Sequence, residues 1–226
     1  MSSVKRIPLK ERILPSYTVG EERINYISHI VGGALGVAAL VLCVVFAALH
    51  KSAWAVVSSA VYGAFTILLY TMSGIYHGLP KGTAKKVLQV LDHCTIYFMI
   101  GGTYTPILLC AIRPLSPGWA WTLFGIVWGL GILATVLTAI DLKKYSVFSM
   151  ICYLGMGWCI VIAMPLVLKS IGIAGFLWLV AGGVAYTVGA VLYGLGKNHK
   201  YMHSVFHFFV LLGSVLQFVC VFWYVI

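Results

Sequence analysis

The sequence predicts an all-α integral membrane protein: a bundle of seven transmembrane helices with its N-terminus in the cytoplasm and its C-terminus outside. Three observations predict it. Of 226 residues, 62% are hydrophobic and 9% charged, whereas an ordinary soluble domain carries about 25% charged residues. The apolar residues fall into seven runs, each near the roughly 20 residues that a helix needs to bridge a hydrocarbon core of about 30 Å. The basic residues sit between those runs, and strongly favour one side.

The elements follow in chain order. Residues 1–26 read as a polar cytoplasmic tail carrying Lys5, Arg6, Lys10, Arg12 and Arg23. No short apolar core or small-residue cleavage pattern interrupts it, so no removable signal peptide is expected and the first span should stay as an anchor. Residues 27–226 read as one transmembrane domain with spans at about 27–49, 53–76, 87–111, 119–140, 146–168, 172–195 and 202–226. Short connections rich in Gly, Pro, Lys and Asp punctuate them. A helical bundle is expected, because lipid cannot satisfy an open backbone. The tail and the connections after spans two, four and six hold twelve Lys and Arg residues; those after spans one, three and five hold Lys51, Arg113 and Lys169, three in all. The excess of positive charge marks the cytoplasmic side.

The net charge of +10 does not point to nucleic acid, since the basic residues never form a continuous patch. Six cysteines, Cys43, Cys94, Cys110, Cys152, Cys159 and Cys220, are scattered through apolar runs without paired spacing. That distribution argues against a disulfide framework and a cysteine-based zinc site.

Among five acidic residues, Glu11, Glu21 and Glu22 precede the first apolar run, and Asp92 alone falls inside one. An ionisable side chain within a span is costly and marks a functional site whose partner must be found. The histidines are the candidates. His77 lies four positions before Lys81, about 6 Å inside the cytoplasmic edge of span two. Asp92 lies about 9 Å inside span three, and His203 and His207 lie roughly 4 to 11 Å inside span seven. All four fall in one layer.

Spacing adds a second constraint. His203 and His207 are four apart, as are Ser73 and His77, so each pair shares a helix face. Two imidazoles one turn apart can grip one metal ion. A catalytic zinc takes three protein ligands and keeps a fourth position open, a role that His77, His203 and His207 would fill. Asp92 is either a fourth ligand or, as favoured here, the group that holds the activated water and accepts its proton. Ser73 would orient His77 or donate a hydrogen bond to a developing oxyanion.

Other polar residues carry blander expectations. His199 belongs to a solvated connection, His50 lies on the outer side, and His93 faces about 100° from Asp92 and is expected to pack against another helix. His29, at nearly the depth of the cluster, either supports the metal ligands from behind or, as favoured here, makes a helix-packing hydrogen bond. Gly32 and Gly36 suit close contact inside the bundle, and Trp119 and Trp121 fit an outer interfacial belt.

Together, Glu22, Asn25 and His29 opening span one, Ser73 and His77 closing span two, Asp92 in the run LDHCTIYFMIGGTYTP, and His203 and His207 opening span seven resemble the hemolysin III family. That family is the bacterial branch of the progestin and adipoQ receptors, in a superfamily shared with alkaline ceramidases. The resemblance covers the chain from Glu22 onward. It implies a multi-pass protein of the bacterial inner membrane, with Zn2+ held by His77, His203 and His207, Asp92 binding zinc or activating its water, and Ser73 in support. It also implies membrane lipids as partners and hydrolysis of a lipid amide or ester, tied to membrane lipid homeostasis. Two alternatives remain: a cytolytic or pore-forming protein, and a non-enzymatic receptor or sensor with a structural zinc. Gln217 is a departure, since relatives often carry a histidine there; about 15 Å beyond His207, it should alter a polar lining and not the metal.

Overall fold

The computed structural model describes residues 8–50, 52–196 and 199–226. Lys5, Arg6, Lys51 and Lys197, counted above for orientation, lie outside the described residues. The chain folds as helices α1 (Val19–Leu49), α2 (Ala53–Gly78), α3 (Thr83–Pro106), α4 (Pro117–Ile140), α5 (Ser146–Trp158), α6 (Met164–Leu195) and α7 (Met202–Cys220). Helix α3 runs on into a π-helical turn, Ile107–Ile112, and α7 into another, Val221–Val225.

The first helix starts well before its apolar run. Thr18 caps α1: its hydroxyl accepts from the Glu21 amide at 3.2 Å, and the Glu21 carboxylate accepts from the Thr18 amide at 2.8 Å. This reciprocal box satisfies two amides that a helix start leaves orphaned. Hydropathy locates the lipid-facing part of a helix and capping locates its beginning, which is why α1 starts at Val19 and not near Ile27. Glu22 and Asn25 therefore ride on α1 as part of the bundle.

Among the described residues, six helical stretches are long and apolar enough to cross a membrane: Val19–Leu49, Ala53–Gly78, Thr83–Ile112, Pro117–Ile140, Ser146–Leu195 and Met202–Val225. The fifth, 50 residues long, holds the residues expected to form spans five and six. An unbroken helix of that length would reach about 75 Å, far beyond a hydrocarbon core of about 30 Å. It is broken: Cys159–Ala163 tightens to a 3-10 helix, and Gly172 leaves helical geometry with φ 66° and ψ 177°. Only glycine adopts that backbone without strain.

Helices α1 and α2 pack closely, as the Gly32 and Gly36 spacing predicts. A Cβ built on Gly32 would sit 2.4 Å from the Tyr70 ring, and one on Gly36 3.2 Å from Ile67. The Tyr70 hydroxyl then reaches across to α7, donating to Ser214 Oγ at 2.7 Å. On the other side of the bundle, Tyr97, Leu108, Leu123, Val127, Met156 and Val167 join α3, α4, α5 and α6 in the largest apolar core. Residues exposed along α1 and α4, such as Val37, Val41, Ile132 and Val136, form the apolar outer surface that lipid requires.

Candidate metal centre

Three imidazoles from α2 and α7 converge. His77, His203 and His207 each offer a ring nitrogen, and these atoms lie within 4.8 Å of one another. His203 Nε2 is 3.1 Å from His77 Nε2 and 3.0 Å from His207 Nε2. His77 and His207 are 2% and 1% exposed. The spacing of four residues puts His203 and His207 on one face of α7, and the close approach of α2 brings His77 against them.

Partners on the far side of two of the rings, His77 and His207, fix their tautomers. Glu22 Oε2 lies 2.6 Å from His77 Nδ1; a carboxylate at that distance accepts, so the proton sits on Nδ1 and the Nε2 lone pair faces inward. His207 Nδ1 donates to the Asn25 carbonyl at 3.3 Å, which leaves its Nε2 lone pair facing inward too. Both lone pairs point at His203 Nε2, which has at most one proton to give. At least one lone pair among the three rings therefore has no donor, an arrangement that could hold a cation. Tetrahedral ligands at about 2.0–2.1 Å from zinc lie about 3.3–3.4 Å apart, close to the observed separations. The residues fit the metal.

Helix α1 supplies the outer layer. Asn25 is fully buried and its Oδ1 accepts from Ser204 Oγ at 2.6 Å, tying α1 to α7 between the two histidines. Carboxylates and carbonyls behind metal-binding imidazoles hold ring orientation and raise ligand basicity. Glu22 has a second partner: the Lys85 ammonium, 4% exposed, lies 2.7 Å from Glu22 Oε1 and donates to the Leu79 carbonyl at 2.9 Å. Lys85, counted from the sequence among the loop cations, is folded inward as the counter-charge of Glu22.

Tyr17 closes the top. Its ring stacks on His203 at 4.9 Å with planes 17° apart, and lies 5.7 Å from His77. Burial, and then the nearby tyrosines and the carboxylates of Glu22 and Asp92, push its phenol above the usual range, so it keeps its proton. The N-terminal segment is thus a wall of the site. Spacing held the signal: Thr18 and Glu21 form a capping pattern, and extending the helix back to them puts Glu22, Asn25 and His29 on one face.

The expected carboxylate and serine sit beside this cluster. Asp92 and Ser73 line a cavity of about 180 Å³ together with His29, His203 and His207. Asp92 is not in the close group of ligand nitrogens; its Oδ2 lies 3.8 Å from His93 Nδ1, and His93 lines the same cavity. Ser73 is buried, and the orienting contact to His77 comes from Glu22. His29 makes no helix-packing hydrogen bond among the described residues. It stacks on His207 with centroids 3.8 Å apart and planes 16° apart. His50 and His199 are exposed, as expected.

A bundle of apolar helices with a largely buried three-histidine cluster at one end defines a multi-pass membrane protein with a candidate metal centre. Residues 17–218 match the family described as Haemolysin-III related. The chain is 38% identical over 209 residues to Hemolysin-3 of Bacillus cereus, covering 92% of this chain and 93% of the relative. It is likewise 38% identical over 208 residues to the Hemolysin-3 homolog of Bacillus subtilis (strain 168), covering 92% and 96%. No solved structure matches. The chain belongs to the hemolysin III family, and is a multi-pass bacterial membrane protein.

Proposed function

We propose that the chain is a zinc-dependent membrane hydrolase that cleaves a lipid amide or ester near the cytoplasmic leaflet and so adjusts membrane lipid composition. The observation that carries this reading is the convergence of three Nε2 atoms, two with tautomers fixed from α1, at the end of a cavity that also holds a buried serine and a carboxylate. His77, His203 and His207 would hold the ion. Zinc, when bound, supplies Lewis acidity toward a carbonyl and brings the pKa of water down to about 7. Asp92 accepts the proton of the attacking water and returns it to the leaving group. Ser73 donates a hydrogen bond to the carbonyl oxygen as negative charge develops there.

The topology proposed with it has seven crossings, N-terminus in the cytoplasm and C-terminus outside. Trp158 Nε1 donates to Thr187 Oγ1 at 2.9 Å, and these residues lie nearly equidistant in sequence from Gly172, as the two arms of a hairpin would. Reporter fusions at Lys143 and Lys169 should report opposite sides; the same side would remove the hairpin.

Metal analysis of purified protein and an assay over amide and ester lipids test the function. Stoichiometric zinc, turnover lost on chelation, and an Asp92→Asn variant that keeps zinc but not turnover are expected. Retention of the metal by His207→Ala would end the metal reading. Zinc without any metal-dependent turnover would leave a receptor or sensor with a structural ion. The name of the two Bacillus relatives favours a cytolytic reading, which liposome leakage unaffected by His207→Ala would sustain.

A further inference from the structure

The cavity that begins at His203 and His207 ends at Gln217, ten residues further along α7 and roughly 15 Å away. Gln217 is 6% exposed. Its side-chain amide is held: Nε2 donates to the Leu179 carbonyl at 3.0 Å, and a Cβ on Gly182 would sit 2.6 Å from that nitrogen, so the amide lies flat on bare backbone of α6. With Nε2 committed, Oε1 is fixed as an acceptor, and it has no partner among the described residues.

The donors around it are already spent. The Thr103 hydroxyl bonds to the Met99 carbonyl at 2.9 Å and the Tyr104 hydroxyl to the Gly157 carbonyl at 2.9 Å. The Trp158 indole is committed to Thr187. These three side chains line the cavity with Gln217. A buried acceptor without a donor is costly, and here the protein supplies every element of a hydrogen bond except the donor.

We propose that Gln217 reads a hydroxyl carried part-way along the chain of the bound lipid, so that the site prefers hydroxylated acyl chains to plain ones. The donor must be neutral, because the surrounding wall is apolar and charge there would be uncompensated. It must also stand well away from the head end of the ligand, since the histidine cluster occupies the other end of the cavity. Gln217 is a specificity-determining residue in this account, touching the ligand chain and not the reacting atoms. The inference rests on the preceding proposal in taking the ligand to be a lipid and in assigning its head to the histidine end.

Oleate and ricinoleate, the same chain with one added mid-chain hydroxyl, form the probe pair. Binding of each to the full-length protein in lipid nanodiscs should favour ricinoleate by roughly three- to tenfold, the worth of one neutral hydrogen bond to an otherwise unpaired acceptor. Gln217→Met, of similar length and without the acceptor, should bind oleate at least as well and show no preference. Gln217→Leu repeats the measurement if the first variant melts early. Equal affinities in the natural protein, or a preference that survives both substitutions, would overturn the proposal. In His207→Ala the ratio should persist, whereas its loss would mean that the hydroxyl is read at the histidine end and would also overturn it. The absolute affinities in that variant report separately on the metal reading.

Discussion

The two halves of the bundle bury opposite kinds of side chain. Where α1, α2 and α7 meet, the interior holds Asn25, Ser28, His29, Ser73, His77, Ser204 and His207, of which Asn25, Ser28, His77, Ser204 and His207 are hydrogen-bonded across helices. Where α3, α4, α5 and α6 meet, it holds Tyr97, Leu108, Leu123, Val127 and Met156, with a short relay from Tyr97 through Thr138 to Ser149. The first half positions nitrogen lone pairs and the second fills space. Stability and chemistry are therefore carried by separate sets of residues, and substitutions should separate them.

The largest effect is expected from His207→Ala, which removes a ligand and should abolish stoichiometric metal binding, read by mass spectrometry of the intact protein. Leu123→Ala, in the apolar half, should lower unfolding stability by about 2–4 kcal/mol and leave metal content untouched; a loss of metal in that variant would show that the halves are coupled. Glu22→Gln removes the charge behind both His77 and Lys85 and should weaken metal affinity by about 10–100-fold, measured by competition with a chelator. Gly32→Ala drives a methyl into the Tyr70 ring and should cost about 1–3 kcal/mol, with some loss of metal because α1 is displaced; unchanged metal affinity would narrow the contribution of α1 to Glu22 and Asn25. Tyr17→Ala, which unstacks His203, should reduce metal affinity by less than about tenfold.

This division explains what could be read in advance. The three histidines were legible because two imidazoles four apart on one helix and a third at the matching depth of another fall in a single layer of the bundle. The second tier was not, because Glu22 and Asn25 lie before the apolar run that marks span one, and hydropathy does not register a helix that begins in polar sequence. Lys85 was misleading for a related reason: a lysine beside a loop is ordinarily a topological charge, and only tertiary contact reveals that its ammonium turns back to Glu22. His29 was expected to hydrogen-bond and instead stacks, since sequence gives a ring's depth but not what faces it. The Gly32 and Gly36 contact was foreseen because small residues at that spacing have one common use in helix packing. The position of Gly172 as a break inside 50 helical residues was visible only as the point between two apolar runs; its backbone geometry was not.

His203 and His77 lie 126 residues apart in the chain, and Glu21 grips the backbone of Tyr201 at 2.6 Å, so the first and last helices close the bundle together. At a synthesis rate of about 5–20 residues per second, roughly 6–25 s separate the making of the first candidate ligand, His77, from the arrival of the other two. Throughout that interval the nascent chain has one of the three clustered histidines. Loading of the proposed ion would consequently be a terminal event in biogenesis, since a chain truncated before α7 lacks two of the three candidate ligands.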